Sequence, residues 1–283
     1  MTKPTWVFVA GTYRSGSTTH YHMVRDVVQV AGAGIAIGYH NERRLKEFDR
    51  LDFGDLEAIR SLYAHHEIEC PFEEPPTFTR PSPYIVCKVF EYLPGGFRGQ
   101  TSHGQLLGRQ GRIRAIISVR DPRDIATSMK RREEQRSDAG RHDGEPFDFE
   151  KLVTERFPIW LGWLTRWADM GPQACMISRF ELFTRDRQGE VLRIAAHLGL
   201  DISRADVRRI ADDYSVDQIR QRKDGYWQRR RETPGLREDP ALPSVPALLF
   251  AKSGHWRDEL SAEEADLVYE SNRAFFERFG YER

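Results

Sequence analysis

Cysteine is scarce in this 283-residue chain: Cys70, Cys87 and Cys175 are odd in number, widely spaced and without a C-x-x-C pair. That pattern argues against a disulfide framework and against a cysteine-based zinc site. Long apolar runs are also missing, since none approaches the ~18 residues of a membrane span, and the N-terminus enters a strand-like run rather than a signal sequence. The expectation is a cytoplasmic protein without a membrane contact. An excess of charge of either sign is lacking too, because Lys+Arg and Asp+Glu both count 43. Nothing therefore draws the whole molecule to nucleic acid or to an anionic surface. Metal-ligand spacing is absent: His20 and His22 lie two apart on a predicted helix and face different ways, so no metal is expected.

What is present is alternation. Apolar, β-branched runs at Trp6–Ala10, Gly34–Ile37, Tyr84–Phe90, Ile113–Val119 and Ala174–Ile177 read as strands. Helical patterns separate them, at Ser17–Gln29, Asn41–Leu51, Leu56–His66, Pro122–Arg136, Phe149–Ala168, Gln188–Leu198 and Ala262–Phe279. This order predicts one α/β domain over residues 1–283, with a mainly parallel central sheet flanked by helices. Trp160, Trp163, Leu164 and Trp167 recur at helical spacing and read as a core face. Cys87 and Cys175 fall in strand-like runs and read as buried small hydrophobes. Two charged, Gly- or Pro-containing stretches, Arg131–Glu145 and Gln228–Pro246, read as surface loops, with a substrate lid as the functional alternative.

Two segments carry the chemistry. In the first, Gly11-Thr12-Tyr13-Arg14-Ser15-Gly16-Ser17-Thr18-Thr19 follows the Trp6–Ala10 strand and opens a helix. It nearly spells the phosphate loop G-x-x-x-x-G-K-S/T, but Ser17 stands at the lysine position and the cation has moved to Arg14. A guanidinium there can grip non-bridging oxygens and stabilise a bridging oxygen that gains charge as a bond breaks. In the second segment, Arg120 ends a strand and Ser128 lies eight residues on, along a helix that Pro122 is suited to start. Two strand–turn–helix anion sites on one sheet predict a nucleotide held at two separated anionic groups.

At these residues the chain resembles the 3′-phosphoadenylylsulfate (PAPS)-dependent sulfotransferases. Their 5′-phosphosulfate loop reads T-Y-P-K-S-G-T-T-W, against T-Y-Y-R-S-G-S-T-T here, and Arg-Ser-Gly-Ser-Thr is a form found in bacterial and carbohydrate sulfotransferases. Their 3′-phosphate motif pairs an arginine with a serine eight positions on, as Arg120 and Ser128 do. Phe180-Glu181-Leu182, before a helix ending His197-Leu198-Gly199, resembles the family's Y-E-D-L segment. Lys252-Ser253-Gly254-His255-Trp256 resembles the C-terminal cofactor loop, without its leading R-K-G. The resemblance implies a P-loop-like sulfotransferase fold. It also implies PAPS as donor and adenosine 3′,5′-bisphosphate (PAP) as product, held by Arg14, Ser15, Gly16, Ser17, Thr18, Thr19, Arg120, Ser128, Lys252 and Gly254.

Sulfuryl transfer needs a cation at the leaving phosphate, a base for the acceptor proton and in-line positioning. Arg14 is the expected cation, with Ser128 beside it. The family's K-T-H-L-P motif reads Lys88-Val89-Phe90-Glu91-Tyr92-Leu93-Pro94 here, without histidine; carbohydrate sulfotransferases use a glutamate at the start of the helix after the second strand, so the resemblance implies Glu42 as the base, then Glu91, then His40. The alternative for Glu42 is a carboxylate favoured by the helix dipole. The acceptor is a small-molecule or saccharide hydroxyl or amine, near Tyr39, His40, Phe90, Tyr92 and Phe97 at strand ends. A homodimer is left open. An ATP- and Mg²⁺-dependent phosphotransferase and a non-catalytic nucleotide-binding protein are the competing readings.

Overall fold

A computed structural model describes residues 3–39, 42–68, 70–93, 103–138, 147–221 and 253–283. His40, Asn41, Phe97, Lys252, the stretch 228–246 and residues 139–145 lie outside them; residues 131–138, expected as surface loop, instead continue the helix that starts at Pro122.

The five apolar runs form strands β1 (Thr5–Gly11), β2 (Gly34–Tyr39), β3 (Tyr84–Val89), β4 (Ile113–Val119) and β5 (Cys175–Arg179). All pair in parallel, in the order β2-β3-β1-β4-β5. β1 is central because it is buried on both faces, where successive side chains of Trp6–Ala10 alternate between two cores. Trp6, Phe8 and Ala10 join Ile85, Cys87 and Ile117 on one side; Val7 and Val9 join Val86 and Ile116 on the other. Each such side chain contributes roughly 1.5–3 kcal/mol on burial. The three cysteines are free thiols, and Cys87 and Cys175 fill core positions.

Helices α1 (Ser17–Val30), α2 (Glu42–Phe48), α3 (Leu56–His65), α4 (His103–Arg109) and α5 (Pro122–Asp138) connect the first strands. The segment predicted as one helix over Phe149–Ala168 contains α6 (Phe149–Lys151), a π-helical turn (Leu152–Arg156) and α7 (Phe157–Ala168). Asn272 donates to the carbonyls of Val153 and Val268, joining the wide turn to the C-terminal helices. The same asparagine divides the predicted Ala262–Phe279 helix in two. α8 (Phe180–Arg185), α9 (Arg187–Leu198), α10 (Arg204–Asp213) and α11 (Trp256–Glu259) precede that pair, α12 (Ala262–Ser271) and α13 (Arg273–Phe279). In the tryptophan stripe Leu164 and Trp167 are buried as predicted, Trp160 is half-buried against the same core and meets Tyr13, and Trp163 is half-buried and outside the core clusters.

Strand order sets the site. The chain leaves β1 for β2 on one side and returns from β3 to β4 on the other, so the loops after β1 and β4 diverge and leave a crevice between them. Register brings Gly11 opposite Ser118, which puts the turn after Gly11 beside Arg120.

Candidate active site

Residues 12–16 make a tight turn between β1 and α1. Arg14 and Gly16 both have left-handed backbones, at φ 66° and 82°. Gly16 is needed twice over, because a Cβ there would also lie 2.7 Å from the Phe180 ring. Ser15, expected to touch the nucleotide, is buried and turned inward. Its hydroxyl donates to the Thr12 carbonyl at 2.8 Å, and its own carbonyl accepts from Ser118 Oγ at 2.8 Å. Its role is to pin the turn to β4. The N-terminus of α1 has neither a capping side chain nor an acidic residue in its first turn. Its leading N–H groups and positive dipole end therefore face an electropositive opening.

The second segment closes on the first. Arg14 Nε donates to Ser128 Oγ at 2.8 Å, and Arg120 Nη1 donates to the Arg14 carbonyl at 2.9 Å. Arg120 is buried beneath the Phe180 ring, 4.4 Å from its centroid. Arg132, one helical turn beyond Ser128 on α5, lines the same cavity. Burial, then the charges of Arg132 and Arg120, push the Arg14 guanidinium down to about 10. Burial also lowers Arg120, against the opposing pull of Asp124, Glu181 and Asp121. Three cations drawn together against their own repulsion suit a ligand with more than one anionic group.

The cavity they line holds about 220 Å³. Gly16, Ser17, Thr18 and Thr19 form its floor, as expected from the sequence. Its far wall was not legible there: Phe180 and Phe183 from α8, with Tyr214, Val216 and Ile219 beyond α10, offer rings and aliphatic carbon to a planar base. Lys88 was also missed as a site residue, although it belongs to the altered K-T-H-L-P stretch. Strand alternation points it to the α1 face with Val86, and its Nζ donates to Thr18 Oγ1 and, at 2.9 Å, to the Tyr39 hydroxyl. Burial pushes this amine down to about 7. A β2 irregularity between Ala36 and Tyr39 brings Tyr39 opposite Lys88.

A second cavity, of about 790 Å³, opens beside the first and shares Thr18, Tyr39 and Lys88 with it. Tyr13 and Tyr39 both stack on Phe90 at the first cavity's mouth, with ring centroids 4.7 and 5.8 Å away. Tyr92, proposed for the acceptor, instead packs edge-on against Trp167 with the core. Glu91 lines neither cavity; its carbonyl accepts from Trp167 Nε1 at 2.9 Å. Glu42 is the first residue of α2, and its side chain is outside the described part. The amide of Gly254 donates to Asp124 at 2.8 Å and that of Trp256 to the other oxygen at 3.2 Å, so this turn is tied to α5 rather than opened to the cavity. Trp256 lies under the Arg123 guanidinium, 3.8 Å away. Among the described residues Glu47, His65 and His66 bring potential metal-ligand atoms within 4.8 Å of one another, apart from the arginine cluster.

No protein-family model matches the sequence, and no curated protein matches it. Solved structures do. Retinol dehydratase in complex with androsterone and inactive cofactor PAP is similar over 98% of this chain and 82% of its own, at 17% identity and a TM-score of 0.57. Mouse sulfotransferase SULT7A1 complexed with PAP is similar over 98% and 89%, at 16% identity and a TM-score of 0.57. Retinol dehydratase with retinol and PAP gives a TM-score of 0.54 at 17% identity, over 98% and 82%. The fold of this chain is the sulfotransferase fold.

Proposed function

We propose that the protein transfers a sulfuryl group from PAPS to a hydroxyl or amine of a small-molecule or saccharide acceptor. The observation that carries the proposal is the convergence of Arg14, Arg120 and Ser128 at the mouth of an uncapped helix N-terminus, within one cavity. The donor supplies an activated sulfuryl group on a phosphate leaving group. The α1 terminus with Ser17, Thr18 and Thr19 binds the 5′ end, while Arg120 and Ser128 bind the 3′-phosphate. Arg14, between the two, stabilises charge on the leaving oxygen. Phe180 and Phe183 stack the base. Lys252 completes the nucleotide contacts in the family pattern, while Gly254 supports the site through its tie to Asp124. The acceptor sits in the larger cavity and reaches the smaller one past Tyr39, with Phe90 at the mouth of the smaller cavity. The protein works without a bound metal, as a cytoplasmic enzyme.

A phosphotransferase using ATP and Mg²⁺ fits less well. The hydroxyl of Thr18 stands where a phosphate loop places its Mg²⁺ ligand, and here it accepts from the Lys88 amine. A second cation beside an amine that becomes charged would be repelled.

A thermal-shift comparison tests the reading. PAP at 100 times its dissociation constant stabilises the protein by about 2.7 kcal/mol, and ATP with Mg²⁺ at equal concentration does less. The reverse order would favour the phosphotransferase. Incubation with sulfur-labelled PAPS and 2-naphthol then reads transfer itself. Comparing Glu42→Gln with Glu91→Gln measures any share of those carboxylates in proton removal.

A further inference from the structure

We propose that Lys88, as an unprotonated amine, takes the proton of the acceptor hydroxyl. The inference rests on the PAPS-dependent reading of the same cavity and adds the residue that completes its chemistry.

Position is the first argument. Lys88 is one of three residues that line both cavities, with Thr18 and Tyr39, so its nitrogen stands where a hydroxyl from the larger cavity would meet a group held in the smaller one. A base has to be at that junction.

Hydrogen bonding is the second. A neutral amine has two N–H donors and one lone pair. Its two donors go to Thr18 Oγ1 and Tyr39 Oη, which leaves the lone pair for an incoming O–H. A buried ammonium would need a third acceptor or a counter-ion.

The surroundings are the third. Among the described residues, the ionisable side chains of the smaller cavity are four arginines, three tyrosines and Lys88, with no carboxylate and no histidine. Arginine stays protonated and tyrosine stays neutral near pH 7. Lys88 is 2% exposed, and burial alone pushes it down to about 7. Besides those of the smaller cavity, the charged and titratable groups lining the larger one are Tyr21, His22 and Arg25 on α1, Arg44 on α2, Tyr63 on α3, and His66 and Glu67 after it. Glu67 is the one described acid in either wall, at the exposed rim of the larger cavity. Burial thus favours the neutral amine, and no described carboxylate is hydrogen-bonded to it.

The step balances. The acceptor oxygen forms a bond to sulfur as the bond from sulfur to the phosphate oxygen breaks; that electron pair stays on the phosphate, giving PAP. The acceptor proton passes to Lys88 Nζ, which becomes an ammonium and returns the proton to solvent after product leaves.

The test separates a base from a fixed cation. With 13Cε-labelled lysine, and Lys88→Arg to assign the resonance, Lys88 titrates near pH 7 in the free protein by NMR; a midpoint above 9 overturns the proposal. In turnover of 2-naphthol, whose hydroxyl ionises well above this range, kcat/KM rises tenfold per pH unit below the Lys88 midpoint and then levels. Lys88→Arg, which keeps the charge and cannot give up its proton, loses at least 100-fold in kcat/KM while binding PAP within threefold of wild type. If Lys88→Arg keeps more than a third of the activity, Lys88 is an electrostatic group and the proposal fails. Calorimetry with PAP keeps the two levels apart: wild type that does not bind PAP sinks the PAPS-dependent reading, whereas PAP binding with an ordinary Lys88 titration sinks only the base.

Discussion

Arg14 holds a left-handed backbone that arginine rarely adopts, and it does so where two other arginines oppose its charge. An anion in the turn would offset that repulsion, and in the proposed function Arg14 is the group that meets it. Arg14→Ala is therefore expected to lower the single-turnover rate at saturating donor by about two orders of magnitude, ~3 kcal/mol, with a smaller loss in PAP affinity. A rate within threefold of wild type would remove it from the mechanism. Arg14, Arg120 and Ser128 were legible in the sequence because each sits at a fixed offset from a strand end. Lys88 was harder to see, since the burial that lowers its pKa comes from residues distant in the chain. Arg132 left a signal that was not used, one helical turn beyond Ser128. Phe183, Tyr214 and Ile219 left none, because they reach the cavity through packing between α8, α9 and α10.

At the level of elements, the turn before α1 is held from below. The first turn of α1 buries His20, whose Nε2 meets Glu190 Oε1 of α9 at 2.9 Å, and the imidazole stacks on Phe183. Burial by itself would raise the Glu190 carboxyl, but the hydrogen bond from His20 and the charges of His20 and Arg193 hold it below its usual range. A carboxyl depressed in the folded state contributes stability above its unfolded pKa of about 4.5, and that contribution is lost as pH falls through the lower folded value. Glu190→Gln should flatten the acid limb of the stability curve below about pH 4.5, measured by urea unfolding across pH; an unchanged limb would show that the pair does not govern it. Gly16→Ala is expected to cost 1 kcal/mol or more through its positive φ and the contact with Phe180. That corresponds to a fall of roughly 2–4 °C in Tm, together with weaker PAP binding, and an unchanged Tm would mean that Phe180 yields freely. Strand and helix starts were read well where apolar periodicity was strong: β4 and the first residues of α1, α3 and α5 fall where the pattern put them. The breaks inside long helices were not, because the π-helical turn and Asn272 answer to each other across the fold.

For the whole molecule, sheet order turns two local motifs into one site. Neither the Gly11–Thr19 loop nor the Arg120–Ser128 segment encodes its neighbour; β1 and β4 become adjacent only when the chain crosses from β3 to the other side of β1. With equal numbers of acidic and basic residues, affinity for an anionic ligand has to come from this local cluster rather than from overall attraction. The central claim, a nucleotide bound at both a 5′ and a 3′ anion, is tested most directly by titration calorimetry of PAP and adenosine 5′-monophosphate on wild type and Arg120→Ala. Wild type should prefer PAP, and the substitution should weaken PAP by about 1.5–3 kcal/mol while leaving the monophosphate nearly unchanged. Equal losses for the two ligands, or a wild type indifferent to the 3′-phosphate, would contradict the account.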